Sequence, residues 1–491
     1  MNLSKSKYCE GIQCNKILWL EKNKPDVKSD VANQSVLDNG TEVGLLAKKL
    51  FGEYIDIDFS ENLNDMIKDT NEALKNDIVT ITEASFVYDN NFCSVDILKK
   101  NGNDVEIYEV KSSTKVKDIY KEDVSYQTYI LLNLGYNVKK ACIVHINSNY
   151  ERVGDLNLNE LFVIEDFTEL VMSKQSFIKE KISEINEYMK SSDEPIEKID
   201  MHCITPYDCP FFDYCTRALP EKNVFKVRNM RNSMKFSLYN KGIYSFEDLL
   251  NEDIDWKYKQ QIEFDLYNKP DEVDKTAIKS FLDTLTYPLY FLDFETYQQS
   301  IPEFDHVKPY SQIPFQYSLH YIEKENGKLF HKEFLSEANI DPRRLLAETL
   351  VRDIPINVCT IAYNMSFEKM VIKNLAALYP DLREHLMNIH DNMKDLMIPF
   401  KERKYYTKKM DGSFSIKYVL PALFPNDEEL DYHNLELIHN GGEAMDSYKH
   451  LTNYSPEEQK KIRTSLLKYC ELDTYAMVKI WQKLNEIVKN S

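Results

Sequence analysis

Hydrophobic and polar positions follow three successive patterns along the chain. Residues 1–217 combine helical periodicity with two strand-like runs, 94–98 and 106–111, which are separated by a polar turn around Gly102. Residues 218–285 are rich in Lys, Glu and Asn and repeat with helical periodicity. From residue 286 a new pattern begins with the apolar run 289–292 and ends in a helix near Val488. The pattern predicts a multi-domain α/β protein, with domains at 1–217 and 286–491 and a helical connector at 218–285.

The composition allows packed interiors and gives the chain an acidic charge. The chain has 491 residues, of which 43% are hydrophobic and 12% aromatic, enough for more than one core. It carries 80 Asp and Glu against 61 Lys and Arg, a formal net charge of −19. A protein that coats nucleic acid non-specifically is expected to be basic. This balance argues against such a role, but it is compatible with an enzyme whose acids hold metal ions and whose basic groove is local.

The N-terminal segment and the cysteines indicate the compartment. Residues 1–12 are polar and charged and lack the apolar run of a signal peptide. No stretch approaches the roughly 20 apolar residues of a membrane span, so we expect a cytoplasmic protein without a membrane partner. Thiols stay reduced there, so the nine cysteines are not expected to form disulfides. Cys203, Cys209 and Cys215 lie close together in the sequence, which points to a metal.

Four acids and a tyrosine in the C-terminal region follow the pattern of a metal site. Asp293 and Glu295 are two apart on a predicted strand and therefore share a face. Glu368 falls in the first turn of a predicted helix that follows another strand. Tyr469 and Asp473, four apart, share one face of a later helix. Carboxylates that converge from three elements repel one another unless cations neutralise them, so the pattern predicts bound divalent metal ions.

With these motifs the region resembles the DEDD superfamily of RNase H-like 3′→5′ exonucleases, in the branch with tyrosine in the third motif. The resemblance implies two Mg²⁺ or Mn²⁺ ions, which are held by Asp293, Glu295, Glu368 and Asp473. It also implies that Tyr469 orients the attacking water or helps to deprotonate it. The family usually has aspartate where this chain has Glu368, so the sequence departs from the family there.

The N-terminal region contains a second set of acids beside a lysine. Asp96 is expected to end the first strand of the hairpin, and Glu109 and Lys111 share a face of the second strand. This set resembles the PD-(D/E)XK nucleases, which have a restriction-endonuclease-like fold, and among them the RecB-like and AddB-like group. The resemblance implies that Asp96 and Glu109 bind metal and that Lys111 is catalytic. It further implies that Gln127, expected to open the next helix, braces the site. The group often has a histidine in an earlier helix, and here Glu42 is the residue offered as a further metal ligand.

The order of the cysteines along the chain also resembles the iron–sulfur members of that group. In those proteins one upstream cysteine joins three downstream cysteines around a cluster. The resemblance implies a [4Fe-4S] cluster held by Cys14, Cys203, Cys209 and Cys215. The first two downstream cysteines are farther apart than is usual in the group, so a structural Zn²⁺ site remains an alternative. The combination as a whole resembles bacterial fusions of the two nuclease-like domains, a family of uncharacterised function.

Two basic segments are candidates for contacts with nucleic acid. Residues 401–409 mix cations with tyrosines that could stack on unpaired bases, and residues 226–231 are followed by Lys235. A solvated loop and a helix packed on its neighbours are the respective alternatives. The sequence thus predicts a metal-dependent DNA exonuclease with two hydrolytic sites. The alternatives are an enzyme with one active site, an RNA exonuclease, and a nucleic-acid-binding protein whose metal cluster is structural.

Overall fold

The structure is a computed structural model that describes residues 3–29 and 34–489, including all side chains except those of 34–39. The chain forms two compact units. The first contains residues 1–219 together with 299–310, and the second contains residues 220–298 together with 311–491. Both units combine helices with mixed sheets, as the sequence predicted for an α/β protein.

The first unit is built on a seven-stranded sheet. Its strands are β1 (Leu3–Ser4), β2 (Ile55–Asp56), β3 (Ile78–Tyr88), β4 (Asn91–Asn101), β5 (Asp104–Lys111), β6 (Asn137–Ile146) and β7 (Phe162–Asp166). Its helices are α1 (Lys5–Gln13), α2 (Asn15–Asn23), α3 (Gln34–Lys48), α4 (Leu63–Ala73), α5 (Asp118–Asn133), α6 (Leu158–Leu161), α7 (Thr168–Ser173), α8 (Gln175–Lys190) and α9 (Phe212–Thr216).

The sheet has the strand order β2-β3-β4-β5-β6-β7, and β1 pairs with the start of β4. Strands β3, β4 and β5 are antiparallel, whereas β6 is parallel to β5 and is reached through α5. Asp89 and Asn90 both have positive φ, which matches the tight turn between β3 and β4. The predicted hairpin of β4 and β5 is confirmed, but both strands are longer than predicted. Asp96 consequently lies in the middle of β4 and not at its end.

The core of the first unit explains the local pattern of its strands. Val95 on β4 and Ile107 on β5 are fully buried, and Tyr8 of α1 and Val124 of α5 belong to the same cluster. Tyr8 stacks on Tyr126 with ring centroids 4.7 Å apart, which joins α1 to α5. Alternate positions of β4 are buried, as expected for a strand with one face on the core. The opposite face is therefore free to carry polar groups.

The second unit contains a five-stranded sheet and a two-stranded sheet. Its strands are β8 (Glu272–Val273), β9 (Leu289–Tyr297), β10 (Ile313–Ile322), β11 (Leu329–Leu335), β12 (Cys359–Ala362), β13 (Met393–Asp395) and β14 (Tyr405–Tyr406). Its helices are α10 (Asn232–Asn240), α11 (Phe246–Leu249), α12 (Trp256–Tyr267), α13 (Lys275–Leu282), α14 (Arg343–Asp353), α15 (Ser366–Leu378), α16 (Arg383–Asp391), α17 (Ile398–Lys401), α18 (Ile416–Leu423), α19 (Gly441–Lys449) and α20 (Pro456–Lys489).

The larger sheet has the order β11-β10-β9-β12-β13. Strand β10 is antiparallel to both of its neighbours, whereas β9, β12 and β13 are parallel. Strands β9 and β10 are buried along almost their whole length, which explains why the run that opens β9 is continuously apolar and does not alternate. The 34-residue helix α20 covers one face of β9 and β10, where Gln316 Nε2 donates to the carbonyl oxygen of Leu466 at 2.8 Å.

The predicted connector falls almost entirely within the second unit. It contains α10 to α13, and Val224, Phe246 and Ile262 form a small core of their own there. Strand β8 pairs with β14, so this segment is tied to residues far along the chain. Within the described residues, no helix is both long enough and apolar enough to cross a membrane.

Candidate metal-binding sites

The two carboxylates of the first C-terminal motif converge with one from α20. Asp293 and Glu295 project from the same face of β9, under α20, and Asp473 approaches from that helix. Each of the three offers an oxygen, and these oxygens all lie within 4.8 Å of one another. Burial raises the pKa of Asp293 well above its ordinary value, and the charges of Asp473, Glu295 and Glu368 act in the same direction. The predicted convergence of these acids is therefore present in the structure.

Glu368 is the fourth acid beside this group. It lies in the first turn of α15 as predicted and is 3% exposed. Burial raises its pKa to about 8, with Asp395 adding to the effect. Its Oε2 atom is buried and has no hydrogen-bond partner within the described part of the chain. An orphaned carboxylate oxygen of this kind is costly unless it holds a proton or a cation.

Two tyrosines lie against Asp473. Burial raises the pKa of Asp473 to about 7, although Asp473 Oδ1 accepts a hydrogen bond of 2.6 Å from Tyr432 Oη. The ring of Tyr469 lies 5.9 Å from the ring of Tyr432. Burial raises the pKa of Tyr469 above its usual range, so without metal ions this phenol keeps its proton near pH 7 and can donate a hydrogen bond. Tyr432 was not predicted, because no motif links it to α20.

Lys417 is a cation that acts on two of these acids. Its ammonium lowers the pKa of both Glu295 and Asp473, although burial outweighs it at each. Together with Tyr432 it lines a cavity of about 960 Å³. We call Asp293, Glu295, Glu368 and Asp473 the carboxylate group. The cavity gives a ligand access to Tyr432, which contacts this group.

The acids of the first unit have a different environment, because an ammonium lies between them. Lys5, at the start of α1, donates to Asp96 Oδ1 at 3.2 Å and to Glu109 Oε1 at 3.0 Å. Asp96 Oδ2 accepts a 2.7 Å hydrogen bond from the backbone N–H of Val110, which fixes its orientation. Glu109 is 1% exposed. The sequence analysis did not identify Lys5, which lies 91 residues before Asp96.

Lys111 and Gln127 complete this site through an unpredicted aspartate. Lys111 Nζ donates to Glu109 Oε1 and Asp123 Oδ2, both at 2.7 Å. Gln127 Nε2 donates to Glu109 Oε2 at 2.6 Å and to Asp123 Oδ1 at 2.9 Å. Gln127 therefore braces the acids, but it lies in the middle of α5 and does not open that helix. The four-residue spacing of Asp123 and Gln127 on one helix face was the available signal.

The balance of charge differs between the two sites. Burial and Asp96 act to raise the pKa of Glu109, but Lys111 and Lys5 outweigh them, so that this pKa is lowered. Burial acts to lower the pKa of Lys5, and the surrounding acids raise it well above its ordinary value. The first site thus neutralises its carboxylates with its own ammonium groups. In the second unit, Lys417 acts to lower the pKa of Glu295 and Asp473, but burial outweighs it, so the pKa of each acid is raised.

Glu42 is exposed on α3, and its neighbours Thr41 and Gly44 line the cleft beside Asp96. Glu83 also lines this cleft and has a positive φ of 58°. The residues on either side of Glu83 pair with the two residues that flank Asp96 on β4. Burial raises the pKa of Glu83, and the charge of Asp96 adds to the effect. Glu83 is therefore a further acid beside the site.

The four predicted cysteines come together in the first unit. Cys14 separates α1 from α2, Cys215 lies in α9, and the N–H of Cys209 donates to the carbonyl oxygen of Cys203 at 2.8 Å. Burial raises the pKa of Cys14, Cys203 and Cys209 to about 11. His202 Nε2 lies 3.7 Å from Cys203 Sγ. This environment keeps the thiols protonated unless a metal replaces the protons.

The two basic segments differ in how much of their side chains is exposed. Tyr405 and Tyr406 are 7% and 1% exposed, and Tyr406 packs edge-on against Phe264, so these rings are not available for stacking on bases. In the other segment, Lys226, Arg228 and Lys235 are among the residues that line a cleft of about 730 Å³. Of the two basic segments, the one that lines this cleft is the more suitable for binding an anion.

Comparison with known proteins relates the chain to uncharacterised proteins. A family described as Domain of unknown function (DUF2779) matches residues 290–415. The Uncharacterized protein MG366 of Mycoplasma genitalium is 26% identical over 220 residues, which cover 41% of this chain and 32% of that protein. The Uncharacterized protein UU173 of Ureaplasma parvum is 23% identical over 264 residues, covering 49% and 38%. The chain thus spans about a third of the length of these relatives. No solved structure matches the chain.

Proposed function

We propose that the protein is a nuclease that hydrolyses phosphodiester bonds of DNA with divalent metal ions, at one site in each unit. The observation that carries the proposal is the convergence of three carboxylates with oxygens within 4.8 Å, beside the orphaned oxygen of Glu368. Like charges held this close in a buried site raise each other's pKa and favour cation binding. Oxygen ligands suit Mg²⁺ and Mn²⁺.

Several features of the second unit support the resemblance to DEDD exonucleases. Its mixed sheet has one antiparallel strand among parallel ones, and Asp293 and Glu295 lie on the central strand β9. Bound metal ions would neutralise the charge that develops on the attacking and leaving oxygens of a phosphodiester. Tyr469, neutral and buried beside Asp473, would donate a hydrogen bond that orients water or phosphate. Glu368 stands where the family usually has aspartate, and its longer side chain still comes close enough to Asp293 for its charge to raise the pKa of that acid.

The first unit supports a second site of PD-(D/E)XK type. The Lys5 ammonium lies between Asp96 and Glu109, where both carboxylates can hold a cation. A divalent ion held by these acids would take the place of Lys5, which would then be free to contact phosphate. Lys111, held by Glu109 and Asp123, would supply positive charge beside the reacting phosphate. The antiparallel strands β3 to β5, followed by α5 and the parallel β6, agree with the fold implied by the resemblance.

The cysteines support a cluster in the same unit. The charges of Cys14 and Cys215 act on the Cys203 thiol, and those of Cys203 and Cys215 act on the Cys209 thiol, so the four sulfurs lie near one another. An iron–sulfur cluster held by them, or a Zn²⁺ ion as the alternative, would connect the N-terminal helices to α9.

The experiment is a time course on end-labelled single- and double-stranded DNA and on matched RNA, with Mn²⁺ or Mg²⁺, using protein purified without oxygen. The variants are Lys111→Ala for the first site and Asp473→Asn for the second. Lys99→Ala, on the same hairpin as Lys111, and Asp391→Asn, on an exposed helix end, are the matched controls.

We expect each site variant to remove a different product ladder from DNA, while both controls cleave like the wild type. Loss of one ladder only would show a single active site and leave the other unit as a nucleic-acid clamp. Cleavage restricted to RNA would overturn the choice of substrate. If the wild type binds DNA tightly but does not cleave it in either metal, the proposed nuclease activity is wrong and a nucleic-acid-binding protein is favoured.

A further inference from the structure

A second cluster of metal-binding side chains lies under α20, separate from the carboxylate group. His320 on β10 and His331 on β11 are directly paired across the strands, with ring centroids 4.5 Å apart and an angle of 30° between the rings. Glu471 approaches them from α20. Each of the three offers a ligand atom, and these atoms all lie within 4.8 Å of one another. Glu471 lies two residues before Asp473, so the two side chains leave the helix on nearly opposite sides.

Hydroxyl groups contact one nitrogen of each ring. Thr474 Oγ1 lies 2.8 Å from His320 Nδ1, and Ser318 Oγ lies 2.9 Å from His331 Nε2. The two hydroxyl oxygens lie 2.7 Å apart, and Thr474 Oγ1 lies 3.1 Å from the carbonyl oxygen of Glu471, which can only accept. All four contacts are satisfied together when His320 Nδ1 and His331 Nε2 carry the protons.

This assignment leaves one unprotonated nitrogen on each ring. These are His320 Nε2 and His331 Nδ1, and His331 Nδ1 lies 3.8 Å from Glu471 Oε1. Metal-bound histidines typically donate their other N–H to a fixed acceptor, as both do here.

The geometry points to a site for a borderline transition-metal ion such as Zn²⁺, held by His320, His331 and Glu471. Imidazole nitrogens suit Zn²⁺, Co²⁺ and Ni²⁺, whereas Mg²⁺ prefers oxygen ligands alone. With two histidines and one glutamate as ligands, a tetrahedrally coordinated ion keeps its fourth coordination position open. The Glu471 side chain is 48% exposed, so solvent can reach that position.

A bound ion would connect three elements that otherwise meet through hydrogen bonds. It would join the edge strand β11 to β10 and both strands to α20. Helix α20 also carries Tyr469 and Asp473, so the ion would hold the helix that completes the carboxylate group. This inference does not depend on the proposed nuclease activity, because the ligands belong to neither nuclease site.

The experiment counts metal ions and measures affinity on the full chain after treatment with chelator. Equilibrium dialysis against Zn²⁺ in excess Mg²⁺ compares the wild type with His331→Asn and Glu471→Gln. His390→Asn is the matched control, because its side chain is 22% exposed against 23% for His331 and also pairs with one carboxylate. Co²⁺ spectra separate this site from the cysteines, because nitrogen and oxygen ligands do not produce the thiolate charge-transfer band.

We expect the wild type and His390→Asn to bind one more Zn²⁺ per chain than His331→Asn and Glu471→Gln. Ser318→Ala, which removes a hydrogen bond to a ligand, should weaken binding by roughly 10- to 100-fold. Circular dichroism checks that each variant is folded. Equal Zn²⁺ stoichiometry and affinity in the wild type and both ligand variants would overturn the proposal. So would displacement of the ion by Mg²⁺, since that would show an oxygen-only site.

Discussion

Replacing Glu368 with glutamine should stabilise the metal-free protein at alkaline pH. In the folded chain the pKa of Glu368 is about 8, against an ordinary value of 4.5. Between these values the folded protein holds a proton that the unfolded chain has released, so stability falls as the pH rises. Above the folded pKa the buried carboxylate is charged, and Glu368→Gln removes that charge while keeping the size of the side chain.

The magnitude follows from the change in pKa. A rise from 4.5 to about 8 corresponds to roughly 4–5 kcal/mol of unfavourable ionisation. Asp293, Glu295 and Asp473 still crowd the new amide, whose buried polar atoms still need hydrogen-bond partners. We therefore expect a net gain of about 2–4 kcal/mol at pH 8, which is a rise in Tm of about 5–10 °C. At pH 4.5 the gain should nearly vanish, because the carboxyl is then protonated in the folded protein.

The assay is thermal unfolding in chelator at a series of pH values, repeated with Mn²⁺. Glu384→Gln is the matched control, because Glu384 occupies the first turn of α16 as Glu368 does in α15, but is exposed. Mn²⁺ should stabilise the wild type more than Glu368→Gln, since the variant has lost a ligand. A gain that is the same at pH 4.5 and pH 8, or a loss of stability at pH 8, would refute the idea that ionisation of Glu368 opposes folding.

Three further predictions concern the other groups. Lys5→Met should lower the Tm of the metal-free protein and raise the Mn²⁺ affinity of the first site about tenfold or more, because the internal cation that competes for Asp96 and Glu109 is gone. Calorimetry measures the affinity, and an unchanged affinity would contradict this prediction. Tyr469→Phe should slow cleavage by roughly 10- to 100-fold with little change in Mn²⁺ affinity, because the phenol orients but does not bind the metal; a parallel loss of affinity would show it to be a ligand. Cys209→Ser should abolish the visible absorbance and the bound iron of protein purified without oxygen. If the wild type instead contains Zn²⁺ and no iron, the cysteines form a zinc site and the iron–sulfur prediction is wrong.

The sequence by itself determined many of the helices and strands and the local placement of several candidate site residues. Period-two spacing placed Asp293 and Glu295 on one face of β9, and a four-residue interval placed Tyr469 and Asp473 on one face of α20. These are local relations, and the repeat of each element decides them. The same reasoning correctly predicted the β4–β5 hairpin, although it placed Asp96 at the end of a strand that in fact continues to Asn101.

Only the tertiary structure decided which side chains meet across long separations. Lys5 lies 91 residues from Asp96, and no spacing rule connects an N-terminal lysine with a hairpin carboxylate. The pairing of His320 with His331 depends on the register of β10 and β11 and on the helix that covers them. Burial also depends on these contacts, because it is set by whatever packs above a residue. For this reason Tyr406, apparently a surface aromatic in a basic segment, lies in a core.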